Sequence, residues 1–149
     1  MTMIEVLVVL ALIGLSAGAV IFALPSGAPA RSVTQEAALL ATRLNLAVER
    51  SLIEGRHYRL EWSNTGYRFV EWQAEGWRDA AGPPLSEPHI LAGGATLTDG
   101  NGARNGALRI TPDVLPPADG IVQLQVAGGA ITQTVQFDGA TAQIGNQTP

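Results

Sequence analysis

The chain has 149 residues, of which 46% are hydrophobic and 15% are charged, and its net charge is −4. The nine basic residues are all arginines, and they are outnumbered by thirteen aspartates and glutamates. This balance argues against nucleic acid binding, because such binding needs many cationic contacts to phosphates. There is no cysteine, so disulfides, thiolate catalysis and cysteine-based zinc sites are excluded. The residues after Pro25 suffice for one domain of ordinary size and are too few for two.

The N-terminal segment is dominated by an uncharged run. The 19 consecutive residues from Val6 to Leu24 carry no charge, and Glu5 is the only ionisable side chain before Pro25. At ~1.5 Å per residue this run forms a helix about 28 Å long, close to the roughly 30 Å hydrocarbon thickness of a bilayer. The run therefore predicts a membrane-spanning helix within residues 1–24.

The flanks of this run weigh against a cleaved signal peptide and leave the orientation open. Ala28-Pro29-Ala30 imitates a signal cleavage site, but the apolar core is too long and no basic residue precedes it. Basic flanks of membrane helices stay in the cytoplasm, and here the first basic residue, Arg31, follows the run. Either the remaining domain is cytoplasmic, or a basic leader preceded Met1.

Two features of the segment point to assembly with other helices. A carboxylate such as Glu5 is costly inside an apolar zone and tends to be functional there, although near a terminus it also suits the headgroup region or the positive end of the helix dipole. Gly14 and Gly18 have the G-x-x-x-G spacing that lets helices approach closely in lipid, a spacing that also arises by chance in Gly- and Ala-rich helices. Glu5, Gly14 and Gly18 are the candidate assembly residues.

The residues Met1 to Leu15, MTMIEVLVVLALIGL, resemble the start of mature type IV pilins and type II secretion pseudopilins. The resemblance implies that a prepilin peptidase removes a short basic leader and methylates the new N-terminus at Met1. It also implies that Glu5 pairs with the N-terminal amine of a neighbouring subunit, which neutralises both charges at low dielectric. Met1 stands where phenylalanine is usual, and a leader would supply the missing cytoplasmic charge and place the domain in the periplasm.

A second, amphipathic helix is predicted after a break at Pro25 and Pro29. The predicted N-cap is Ser32 or Thr34, and the helix is predicted to end at Gly55. Apolar positions recur with helical spacing at Val33, Ala37, Leu40, Leu44, Ala47, Val48 and Leu52. The polar positions are interpreted as a solvated face, with a subunit contact as the alternative: Arg43, Glu49, Arg50 and Glu54.

After Gly55 the hydrophobic period changes from helical to alternating, which predicts strands. Residues 57–62 and 67–72 predict a hairpin in which Tyr58, Leu60 and Trp62 share one face. Residues 121–127 and 130–137 predict a second hairpin around Gly128-Gly129. A strand is also predicted at Trp77, a loop over 82–88, and short strands near 89–91, 95–98, 107–111 and 141–144. The expected fold class is α+β, a long N-terminal helix packed on antiparallel sheets.

A second resemblance narrows the family. Part of the chain is similar to the corresponding part of the minor pseudopilin called H. The similar residues are the run from Glu49 to Arg56, the run Gly66-Tyr67-Arg68-Phe69 and a hairpin containing Trp77. This resemblance implies a pilin-like fold with a transmembrane and assembly helix over 1–24, a kink and amphipathic helix over 25–55, and a β-rich region over 56–149. Residues 25–149 then form one periplasmic domain.

No catalytic residue, metal site or cofactor is expected. His57 and His89 are the only histidines, and the common hydrolase, metalloprotease and nucleotide-binding motifs are absent, so both are interpreted as structural or surface residues. The segment from Asp99 to Gly102 is interpreted as a turn, because a calcium loop needs a further acid at its end.

The aromatic residues allow two interpretations. They could form a ligand-binding surface or fill the core, and the core is favoured because the chain has only eight of them. The residues in question are Trp62, Tyr67, Phe69, Trp72 and Trp77.

The leading hypothesis is a non-enzymatic minor pseudopilin of a type II secretion system, held in the bacterial inner membrane by one span and then assembled at or near the tip of the periplasmic pseudopilus. The implied partners are other pseudopilins, the inner-membrane assembly platform, the prepilin peptidase, and secreted cargo or the outer-membrane secretin, with no nucleic acid. The alternatives are a minor pilin of a type IV pilus, acting in adhesion or DNA uptake, and a membrane-anchored periplasmic enzyme.

Overall fold

The structure, a computed structural model, describes residues 2–23, 28–118 and 120–145, with the side chains of residues 2–13, 32–118 and 120–145. Its helices are α1, Met3–Ala23, and α2, Ala28–Glu54, with a 3-10 turn at Ala92–Gly94. The predicted break at Pro25 lies outside the described residues, and so does Met1.

Within the described ranges, nine strands form two antiparallel sheets. The strands are β1 Tyr58–Ser63, β2 Gly66–Gln73, β3 Gly76–Asp79, β4 His89–Ile90, β5 Thr96–Asp99, β6 Gly106–Ile110, β7 Val122–Gly128, β8 Ile131–Phe137 and β9 Ala142–Gly145. The first sheet has the order β3-β2-β1-β6, with β4 also paired to β2, and the second has the order β5-β7-β8-β9. Because α2 packs on these sheets, the predicted α+β class is confirmed.

The two predicted hairpins are confirmed, and the structure gives their registers. In the first, Ser63 pairs with Gly66 and Leu60 pairs with Phe69, so Tyr58, Leu60 and Trp62 share the buried face as predicted. In the second, Gly128 pairs with Ile131. Gly129 has a positive φ of 61°, a conformation that glycine adopts without steric cost.

Helix α2 begins earlier than the sequence predicts. Ser32 and Thr34 lie inside the helix, so the predicted N-cap is wrong. Proline is tolerated in the first turn of a helix, where its missing N–H has no intrahelical partner, and Pro29 lies in that turn. The Ser32 hydroxyl instead donates to the carbonyl of Ala92 at 3.1 Å, which ties the helix to the 3-10 turn.

The inward face of α2 is the apolar stripe that the spacing predicts, except at its last turn. The buried members of the predicted set are Val33, Ala37, Leu40, Leu44, Ala47 and Val48. Leu52 is 50% exposed, so the prediction is wrong there, because the helical period places Ser51 inward instead. The hydroxyl of Ser51 donates to the carbonyl of Arg56 at 2.6 Å, and Gly55, with φ of 64°, ends the helix as predicted.

Helix α2 contacts strands of both sheets, including β7, β8 and β9 of the second sheet and β1 and β6 of the first. Val33 packs directly on Gly128, leaving no room for a β-carbon there. The amide side chain of Asn45 accepts from the Ala142 N–H at 2.7 Å and donates to the Ala142 carbonyl at 3.0 Å. These contacts fix the helix across one common core.

Candidate assembly helix and its surroundings

The described part of α1 presents its apolar side chains to the outside. Exposed fractions run from 42% at Val6 to 84% at Met3. The large apolar residues concerned are Met3, Ile4, Val6, Leu7, Val8, Val9, Leu10, Leu12 and Ile13. A contiguous apolar surface of this kind is rare on soluble monomers.

Glu5 lies in the first turn of α1, and its backbone amide donates to the Thr2 carbonyl at 3.0 Å. It is the single acidic residue of that turn and is surrounded in sequence by the exposed apolar residues. Gly14 and Gly18 lie further along the same helix, and Met1 lies outside the described residues. Their predicted roles in assembly and processing stay predictions.

A search of the described residues identifies no helix with the length and hydrophobicity of a membrane span.

The histidines are one structural and one surface residue, as predicted. His57 is exposed, and its backbone carbonyl accepts from the Trp72 amide at 2.8 Å. His89 is half-buried, and its Nε2 lies 2.6 Å from a carboxylate oxygen of Glu36. The other Glu36 oxygen accepts from the Ala92 amide at 3.2 Å, so Glu36 joins α2 to β4 and to the 3-10 turn.

Sequence reasoning missed the burial of Glu36, which is 6% exposed. A signal was present, because Glu36 stands four residues before Leu40 and so belongs to the same helical face as the apolar stripe. A buried carboxylate needs a partner, and His89 and the Ala92 amide supply it.

The segment from Asp99 to Gly102 is a turn, as predicted. One carboxylate oxygen of Asp99 accepts from the Asn101 amide at 2.9 Å and from the Ala103 amide at 2.7 Å. Across residues 2–23, 28–118 and 120–145, no group of three metal-ligating side chains comes together. A groove of about 740 Å³ lies beside this turn, between β6 and β7, and its described lining contains no histidine.

The predicted solvated face of α2 is correct for Glu49 and Glu54, which are exposed, whereas Arg43 and Arg50 are half-buried. The Arg50 guanidinium donates to three successive carbonyls of the loop after β3, those of Ala81 at 2.6 Å, Gly82 at 3.1 Å and Pro83 at 2.8 Å. Arg43 donates to the Glu87 carbonyl at 3.3 Å, and Glu54 accepts from the Tyr58 hydroxyl at 2.8 Å. The long side chains of Arg43 and Arg50 lie along the surface and hold the loop after β3 against α2.

The aromatic residues divide between the core and the surface. Trp62, Tyr67 and Phe69 are buried, as predicted. The core prediction is wrong for Trp72, which is 44% exposed, and for Trp77, which is half-buried beside it. Both point to the opposite face of the first sheet, where the alternation of side chains along a strand carries them.

Glu71 is a fully buried carboxylate at the junction of α2, β1 and β2. One of its oxygens lies 3.4 Å from the Arg56 guanidinium and accepts a hydrogen bond from the side-chain amide of Gln73. The other oxygen accepts from the backbone N–H of Ala81 at 3.3 Å. Burial raises the pKa of Glu71, but these hydrogen bonds, one from Tyr58 and the Arg56 charge outweigh it, so the pKa lies below its ordinary value.

This lowered pKa predicts a pH-dependent contribution to stability. A carboxyl with a lower pKa when folded stabilises the native state above its unfolded pKa, about 4.3, and this stabilisation is lost as the pH falls through the folded pKa. Glu71→Gln is expected to cost about 1–3 kcal/mol at pH 7, the scale of lost hydrogen bonds to a charged group. Thermal unfolding between pH 3 and 7 measures the difference in unfolding temperature between the variant and the wild type. This difference should become smaller below about pH 4.

The matched control is Glu75→Gln, in the exposed turn between β2 and β3. It should leave the unfolding temperature unchanged at every pH. If the unfolding temperature of Glu71→Gln differed from that of the wild type by the same amount from pH 3 to 7, Glu71 would not be an ionised, hydrogen-bonded carboxylate.

A long helical segment packed on antiparallel sheets is the pilin-like fold. Among solved structures, the chain is similar to the minor pseudopilin EpsH from the type 2 secretion system of Vibrio cholerae, with a TM-score of 0.65 and 13% sequence identity. The match covers 79% of this chain and 99% of that one. The likeness confirms the resemblance to the minor pseudopilins at the level of the fold. No family model and no curated protein sequence matches the chain.

Proposed function

We propose that this chain is a minor pseudopilin of a type II secretion system, a structural subunit without catalytic activity. The observation that carries the proposal is the exposed apolar helix α1, with Glu5 in its first turn, joined to a pilin-like domain. The fold it shares with EpsH supports the same assignment. The histidines also fit a structural subunit, since His89 is paired with Glu36 within the fold and His57 is exposed on the surface.

The uncharged run suggests how the subunit is held before and after assembly. We propose that α1 first spans the inner membrane with the domain in the periplasm, after a prepilin peptidase has released and methylated Met1. In the assembled pseudopilus, α1 packs among the equivalent helices of other pseudopilins, with Gly14 and Gly18 at close contacts. Glu5 then neutralises the N-terminal ammonium of a neighbouring subunit in surroundings that water does not reach.

The partners follow from this assignment. Other pseudopilins contact α1, the inner-membrane platform drives assembly, and cargo or the secretin meets the domain at or near the tip. We favour protein partners over nucleic acid, because the chain is acidic overall and Arg50, Arg59 and Arg68 are engaged with carbonyls, carboxylates or an aromatic ring.

Deleting the gene tests the proposed function directly. Secretion of exoproteins into the medium is expected to fall at least tenfold, with the exoproteins retained in the periplasm, while surface motility and DNA uptake stay at wild-type levels. Immunoblots of medium and periplasm, beside motility and transformation assays, separate these outcomes. The reverse pattern would contradict the proposal and identify a minor pilin of a type IV pilus.

A further inference from the structure

The outer face of the first sheet, the face turned away from the core, carries an unusual group of side chains. Its residues alternate with the buried ones along β1, β2, β3 and β6, and pair across the strands as Arg59 with Val70 and Arg109, and Trp72 with Trp77. We call this group the arginine–tryptophan face. Its members are His57, Arg59, Arg68, Trp72, Trp77 and Arg109.

Tryptophan and arginine side chains pack closely against one another at the centre of this face. The rings of Trp72 and Trp77 meet edge to face, with centroids 5.4 Å apart. The Arg59 guanidinium stacks 4.4 Å above the ring of Trp77, and that of Arg109 lies 6.0 Å from the same ring. Val70, beneath them, is only 3% exposed although it lies on the outer side of the sheet. The stacking holds the side chains in place and leaves Trp72 accessible.

The charges of this face do not cancel. Arg59 pairs with Glu61, while Arg68 pairs with Glu61 at 2.8 Å and with Asp79 at 3.6 Å. Arg109 is exposed, and among the described residues no carboxylate lies within ion-pair distance of it. The face therefore keeps one unmatched positive charge in a chain whose net charge is −4.

The residue that carries this unmatched charge, Arg109, lines a concavity. His57, Trp72, Trp77 and Arg109 line a pocket of about 270 Å³. Its lining combines the apolar indole surfaces of Trp72 and Trp77 with the guanidinium of Arg109. Tryptophan and arginine together are also the residue types that dominate the binding energy of protein interfaces.

We propose that this pocket docks an acidic segment of a partner protein, one in which carboxylates alternate with aliphatic side chains. A carboxylate of the segment pairs with Arg109, and an aliphatic side chain packs on Trp72. Arg59 already covers a face of the Trp77 ring, so the accessible indole surface of the pocket is that of Trp72. The inference goes beyond the proposed function, since it assigns a docking site on the domain rather than on α1.

The test uses the full chain in a mild non-ionic detergent and a fluorescein-labelled octapeptide of alternating Glu and Leu. Fluorescence anisotropy is expected to show saturable binding that weakens with added salt, as an ion pair requires. Trp72→Ala and Arg109→Gln are each expected to weaken it at least tenfold. The controls Ile90→Ala, an exposed apolar residue on β4, and Arg104→Gln, an exposed arginine between β5 and β6, should stay within twofold of wild type.

Three outcomes would overturn the proposal. One is equal binding of the matched Gln-Leu peptide, which would remove the role of charge. Another is binding by the wild type that is absent, or no stronger than the binding by Trp72→Ala or Arg109→Gln with unchanged circular dichroism. The third is a loss of self-association in Trp72→Ala during sedimentation without peptide, which would assign the face to a second copy of the chain.

Discussion

Glu5→Ala is expected to abolish incorporation of the subunit into the pseudopilus while the domain stays folded. Removing one member of a buried ion pair leaves the other charge uncompensated and costs about 3–5 kcal/mol. Since each 1.4 kcal/mol is a factor of about ten, assembly at this contact should weaken by more than about a hundredfold. Sheared-filament immunoblots and exoprotein assays in a deletion strain complemented with the variant measure the effect.

The matched control for this variant is Glu49→Ala, which removes an exposed carboxylate from α2. It should secrete like wild type, and both variants should unfold at the wild-type temperature. Glu5→Gln adds a second test, because the amide keeps the shape but not the charge and should fail nearly as badly as alanine. Normal secretion by Glu5→Ala would refute the proposed role of this carboxylate.

Leu44→Ala is expected to destabilise the domain by about 3–5 kcal/mol, because it opens a cavity where the side chain is fully buried between helix and sheets. That is a large share of the roughly 5–15 kcal/mol of a typical domain. Urea unfolding followed by far-ultraviolet circular dichroism measures the change as a lower midpoint with an unaltered slope.

The same substitution two turns later provides the control. Leu52 is half exposed on the same helix, so Leu52→Ala should change the free energy of unfolding by no more than about 0.5 kcal/mol. A similar loss from both variants would mean that α2 does not pack on the sheets with the face described above.

The sequence predicts the elements well wherever hydrophobic period and turn chemistry agree. The spacing of Val33, Leu40 and Leu44 predicts the buried stripe of α2, and Gly128-Gly129 predicts the second hairpin. The last turn of the helix is the exception, because composition favours Leu52 as a buried residue while the helical period turns Ser51 inward.

Buried charge and exposed tryptophan are harder to predict, because both depend on contacts that the chain makes over long distances. The partners of the buried Glu71 come from the segment between α2 and β1, from its own strand and from the loop at Ala81. Trp72 alternates with buried neighbours on β2, and the side on which α2 packs decides which face is covered. The prediction for Glu5 and Met1 differs in kind, because it comes from a local sequence motif and their proposed partners belong to other subunits.

The anchoring of α2 sets where the chain can be cut without losing the domain. Ser32, Val33 and Asn45 already engage the 3-10 turn, β7 and β9, so the folding unit starts well before the first strand. A truncation that starts at Ala28 keeps these contacts and omits α1. A truncation that starts at His57 strips the apolar stripe away and leaves the inner sides of both sheets in water. The beginning of α2 is therefore the boundary for producing the domain without α1.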